Sequence, residues 1–122
     1  MKKILFLINY PTPYQAQFFN SLKKIFKIKV IFISKKLKNY NFKLKRNNFS
    51  LFLGNSKNNI KLINKNFKIF NPDTVIIGGY KLRYSKYLSK LSITNKTKII
   101  YWLEKINFKN NLKKILVHFA LN

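Results

Sequence analysis

Asn71-Pro72-Asp73-Thr74-Val75-Ile76-Ile77-Gly78-Gly79-Tyr80 is the stretch on which the fold turns. Thr74 to Ile77 has no polar alternation, so it reads as a strand buried on both faces. Upstream, Ile60, Ile63, Phe67 and Phe70 recur at spacings of three and four, which predicts a helix. Asn71-Pro72-Asp73 stops it, because the residue before proline is driven out of the helical region. Downstream of the glycines, Tyr84, Tyr87, Leu88 and Leu91 give a second helical face, and Lys98-Ile99-Ile100-Tyr101-Trp102-Leu103 reads as a further strand.

The same alternation runs back to the start. Ile4-Leu5-Phe6-Leu7-Ile8 is another uninterrupted apolar run. Thr12, Pro13 and Gln15 then form a helix start, with a capping residue, proline at the first position and the partner of a capping box. Phe18, Phe19, Leu22, Ile25 and Phe26 make its apolar face, and Lys23, Lys24 and Lys27 fall on the other side and in the last turn. Val30 to Ile33 is a second strand and Phe49 to Leu53 a short third, while Ser34 to Asn48 reads as irregular. A last helix is expected near Asn107 and another strand from Ile115 to Leu121. Strands joined by helices of this length imply a parallel sheet, and strands apolar on both sides need helices on both faces. The expected fold is a doubly wound, Rossmann-like α/β sheet in a single domain spanning 1–122. Strands are expected near 4–9, 29–34, 74–78 and 98–103, with the first beside the fourth.

Composition narrows the function classes. The 122 residues contain no cysteine, so disulfides and thiolate metal sites are excluded and an intracellular setting is the simple expectation. The net charge is +24, from 26 basic residues against Asp73 and Glu104. That charge fits a nucleic acid or an anionic membrane as partner. It also fits an AT-rich coding sequence, since nearly all the cations are lysines scattered among Asn, Ile, Phe and Tyr. The longest apolar runs fall far short of the ~20 residues that span a bilayer. With His118 as the single histidine and two acids, a catalytic triad or a multi-ligand metal site is excluded, and no cofactor is expected.

In an open parallel sheet, ligands bind beyond the carboxyl ends of the strands. That rule selects Asn9-Tyr10-Pro11-Thr12-Pro13-Tyr14, Gly78-Gly79-Tyr80 and Trp102 to Glu104. The first offers a helix N-terminus to a phosphate, or is only a well-capped helix start. Gly78-Gly79 leaves room for positive φ and close approach of a ligand, or serves a plain turn. Glu104 is either a base or hydroxyl-binding group, or a partner for one of many lysines. Asp73 stands at the opposite end of its strand as a turn residue, and His118 reads as a packed core histidine. No dinucleotide fingerprint or Walker loop occurs.

Three segments together are similar to family 4 glycosyltransferases of the GT-B fold. They are Lys3 to Tyr14 with Phe18, Phe19, Leu22 and Val30 to Ser34; Asn71 to Tyr80; and Lys98 to Glu104. The resemblance implies that the chain is the N-terminal, acceptor-side half of such an enzyme, cut before the half that binds the nucleotide-sugar. It further implies glycosyl transfer to a glycan or lipid-linked acceptor in cell-envelope polysaccharide biosynthesis. Catalysis would await a separate donor-binding domain. The site would lie in the cytoplasm, in peripheral contact with the anionic inner face of the membrane. Asn9 to Tyr14, Gly78 to Tyr80 and Trp102 would line the acceptor site, with Glu104 as the catalytic carboxylate. The chain lacks the histidine or aspartate that many relatives carry after the fourth strand. The alternatives are a small basic nucleic-acid-binding protein or a nonfunctional remnant. Nucleic acid is disfavoured as a partner at this point, because the lysines are spread along the chain and the aromatics fall on strands and helix faces rather than on an exposed stacking platform.

Overall fold

The computed structural model describes residues 1–9, 11–34, 49–53, 57–78 and 82–102. The alternation read from the sequence is present: β1 (Lys3–Ile8), α1 (Pro13–Leu22), β2 (Lys27–Phe32), β3 (Ser50–Phe52), α2 (Asn59–Phe70), β4 (Thr74–Ile77), α3 (Leu82–Thr94) and β5 (Lys98–Tyr101). The five strands form one sheet in the order β3-β2-β1-β4-β5, and every neighbouring pair is parallel. The order reverses between β1 and β4, so their carboxyl ends open the crevice at which such sheets take ligands. This is a Rossmann-like α/β sheet. The same order serves many unrelated proteins and does not single out half of a GT-B enzyme.

Alternation along each strand divides the core into two layers. Ile4, Phe6, Ile8, Ile28, Val30, Phe32 and Ile76 face α1, meeting Phe18, Phe19 and Leu22. Leu5, Leu7, Ile31, Val75 and Ile77 face the other way, onto Ile63 and Phe67 of α2 and Tyr84 and Leu88 of α3. Spacing by four puts the three buried residues of each helix, Asn59, Ile63 and Phe67 on α2 and Tyr84, Leu88 and Ser92 on α3, on one stripe. Asn59 and Tyr84 are both buried and join α2 to α3 by an Nδ2-to-hydroxyl hydrogen bond of 2.8 Å.

The helix ends follow the expected chemistry. Thr12 accepts from the Gln15 amide at 3.2 Å while the Gln15 side chain accepts from the Thr12 amide at 3.0 Å, a complete capping box. Asn71 closes α2 in the left-handed region at φ 51°, which asparagine tolerates, and Pro72 follows it. Asp73 is structural, as expected: its carboxylate accepts from the Lys3 amide at 2.7 Å and its own amide donates to the Lys3 carbonyl at 2.9 Å. It ties β1 to β4 at the end of the sheet remote from the crevice.

Helix α1 ends earlier than its periodicity implies. It stops at Leu22, and Lys23 is its cap rather than part of a basic last turn. The chain must reverse to start β2 at Lys27, whose amide donates to the Lys2 carbonyl at 3.0 Å. Phe26 is therefore buried from the turn, and Ile25 is exposed rather than part of the apolar face. The helix expected near Asn107, the strand from Ile115 to Leu121, and His118 lie outside the described residues.

Candidate nucleic-acid interface

The carboxyl ends of three strands meet as the topology requires. The Gly78 amide donates to the Leu7 carbonyl at 2.8 Å, and the Trp102 amide to the Ile77 carbonyl at 2.8 Å. The Asn9 carbonyl accepts from the Ser34 amide at 2.7 Å. Asn9, Gly78 and Trp102 thus share one rim. Pro11 is buried beside it, Thr12 and Pro13 are half-buried at the start of α1, and Tyr14 is exposed. Tyr10, Gly79, Tyr80 and Glu104 lie outside the described residues.

Two features of this rim differ from expectation. Gly78 does not have a positive φ. Its smallness matters for space instead, because a Cβ there would sit 3.3 Å from Ile8 Cδ1 and 3.6 Å from Trp102 Cβ. The half-buried Trp102 ring packs 5.2 Å from Phe18 and 6.3 Å from Phe6, so it roofs the core beside α1. Gly78→Ala asks only that the flexible end of Ile8 give way, whereas Gly78→Val presses a branched side chain between Ile8 and Trp102. We expect the valine variant to lose about 1–3 kcal/mol, the usual range for overpacking, and the alanine variant much less. Urea unfolding of the two variants checks this, and equal losses would show that the site is open.

The charge is distributed unevenly over the layers. Helix α1 itself carries no ionisable group except Tyr14, and the exposed Lys23 and Lys24 follow at its end. The opposite layer carries Lys61, Lys65 and Lys68 on α2 and Arg83, Lys86 and Lys90 on α3, all exposed. Asp73, the one carboxylate side chain among the described residues, is held at the sheet's other end by Lys3. The scatter of lysines along the sequence becomes a basic face once α2 and α3 pack side by side.

An open groove of about 820 Å³ runs along α3 on this face. Arg83, Lys86 and Lys90 line it with Leu82, Tyr87 and Ile93, and Tyr101 enters from β5. Tyr101 is 60% exposed, and its hydroxyl lies 2.8 Å from Ser89 Oγ. The sequence does not single it out, because the run from Lys98 to Leu103 reads as buried on both faces. Among the described residues β5 is an edge strand, and its last residue stands beside α3. Among the described residues, no group of three or more His, Cys, Asp or Glu side chains is placed to hold a metal ion, and no helix is long and apolar enough to cross a membrane.

Fold and surface together define a small parallel α/β domain with one strongly basic helical face. The chain is 34% identical over 114 residues to the endoribonuclease YbeY of Pelagibacter ubique (strain HTCC1062), a match covering 86% of this chain. It spans 65% of that relative's length. No family model matches the chain, and no solved structure matches it.

This comparison corrects the glycosyltransferase reading. The relative is named as an endoribonuclease, over most of the chain. The strand segments that resemble family 4 enzymes are those that any Rossmann-like sheet supplies. With that reading go the glycan or lipid-linked acceptor, the separate donor-binding domain and the role in cell-envelope polysaccharide synthesis. Membrane contact, expected from a lipid-linked acceptor, loses its reason. The judgement against nucleic acid is overturned as well, by the relative's name and by the exposed Tyr101 on a basic face.

Proposed function

We propose that the chain is an RNA-binding α/β domain that works in the cytoplasm. The observation that carries this reading is the basic face of α2 and α3, which has no described acid to neutralise it. The endoribonuclease named as its relative acts on RNA, and that gives the class of polyanion. The proposal is binding, not strand cleavage. Among the described residues, the groove along α3 is lined by neither histidine nor carboxylate, the commonest carriers of general acid–base chemistry. The rim of Asn9 to Tyr14, Gly78 to Tyr80 and Trp102 is proposed as a second contact, where backbone amides at the crevice meet a phosphate.

Counterion release makes such binding steep in salt, with log K falling by about 0.7 per phosphate contact for each decade of salt on single strands. We expect a labelled oligoribonucleotide to bind the purified chain at about 50 mM salt and to dissociate progressively as salt rises. Fluorescence anisotropy across a salt series reads both. No binding at the lowest salt would overturn the proposal.

A further inference from the structure

Resting on the RNA-binding reading, we propose that the groove along α3 is a nucleotide seat, with Arg83, Lys86 and Lys90 on phosphates and the ring of Tyr101 stacked under one base. The three cations stand at i, i+3 and i+7, so they lie on one side of α3 and extend over about 10 Å of its axis at 1.5 Å per residue. A row of this kind tracks a chain of phosphates rather than a single anion. Tyr101 is a different kind of group. It ends an outermost described strand with its ring 60% exposed, and the 2.8 Å contact between its hydroxyl and Ser89 Oγ holds the ring by its polar end. A ring fixed in this way loses little freedom when a base lands on it. Leu82 and Ile93, both exposed, give the same groove apolar surface. A protein helix would find that surface too, but charge decides the occupant: among the described residues three cations and no carboxylate line the groove, so it complements a polyanion with flat apolar faces. RNA has both properties, and inorganic polyphosphate has only the first.

The test uses the full chain with two probes, a labelled oligoribonucleotide and inorganic polyphosphate of matched charge. Replacing all three cations (R83Q, K86Q and K90Q together) is expected to weaken both. Tyr101→Leu is expected to weaken RNA binding about fivefold or more, as loss of one base stack does, and to leave polyphosphate unchanged. Tyr101→Phe keeps the ring and is expected to bind RNA within about twofold of the parent. Circular dichroism confirms that each variant is folded. If the parent binds RNA while Tyr101→Leu loses nothing, or loses both probes equally, the seat is wrong and the RNA reading stands. If the parent binds no RNA at all, that reading itself fails.

Discussion

Phe6→Ala is expected to cost about 3–5 kcal/mol, the range for removing a buried phenylalanine, and to leave the chain only marginally folded in low salt. Phe6 is fully buried at the centre of β1, the middle strand of the sheet. Its ring stands edge-on to Phe19 at 5.0 Å and to Phe18 at 6.2 Å, with Trp102 at 6.3 Å. One side chain therefore connects β1, α1 and the residue after β5. The neighbours are ring systems anchored on other elements, so the cavity cannot close by a simple rotamer change. A domain of this size has about 5–15 kcal/mol of stability to lose, and self-repulsion at +24 puts this one toward the lower end. At about 1–3 kcal/mol per molar urea, the midpoint should fall by roughly 2 M. Ile69→Ala is the control: Ile69 is exposed on α2, and its loss should be within about 0.5 kcal/mol of zero. Similar midpoints for the two variants would show that the aromatic layer is not the centre of stability.

The fold is legible because its strands are buried on both faces. Runs without polar alternation as short as Ile4 to Ile8 and Thr74 to Ile77, the second between Pro72-Asp73 and Gly78, fit a buried strand far better than a helix. Thr12-Pro13 with Gln15 announces its helix by chemistry local to four residues. What the sequence hides depends on contacts between distant segments. Nothing in the run from Lys98 to Trp102 tells that it is an outermost described strand, so Tyr101 reads as buried and its exposed ring goes unseen. The end of α1 is hidden for a related reason. Phe26 fits helical spacing, but the need to bring Lys27 beside Lys3 breaks the helix four residues sooner. The lysines at 61, 65, 68, 86 and 90 have helical spacing within each segment. Only the packing of α2 against the same sheet face as α3 makes them one surface. Asn9, Gly78 and Trp102 stand on one rim because strand order alone decides it. Function is misread for the same reason that the fold is read well. The segments that carry the resemblance are strands and their first turns, which specify the sheet and not what it binds.

Replacing Lys61, Lys65, Lys68, Arg83, Lys86 and Lys90 together by glutamine is expected to act in opposite directions on stability and on RNA. All six are exposed on helices, and glutamine is nearly as good a helix former as lysine or arginine. No described carboxylate faces them, so no ion pair is given up, while the net charge falls from +24 to +18 (24 less 6). Lower self-repulsion should raise the melting temperature at low salt. The gain should shrink in about 1 M salt, where the screening length is only ~3 Å and the parent's charges no longer see one another. RNA binding should fall by orders of magnitude at low salt. If each cation meets a phosphate, the slope of log K against log salt should become shallower by up to about 4. A variant that melts higher yet keeps the parent's affinity and slope would place RNA on another surface. One that melts lower would mean that these side chains stabilise the helices through their aliphatic stems, and that repulsion within the basic face is not what limits the stability of this chain.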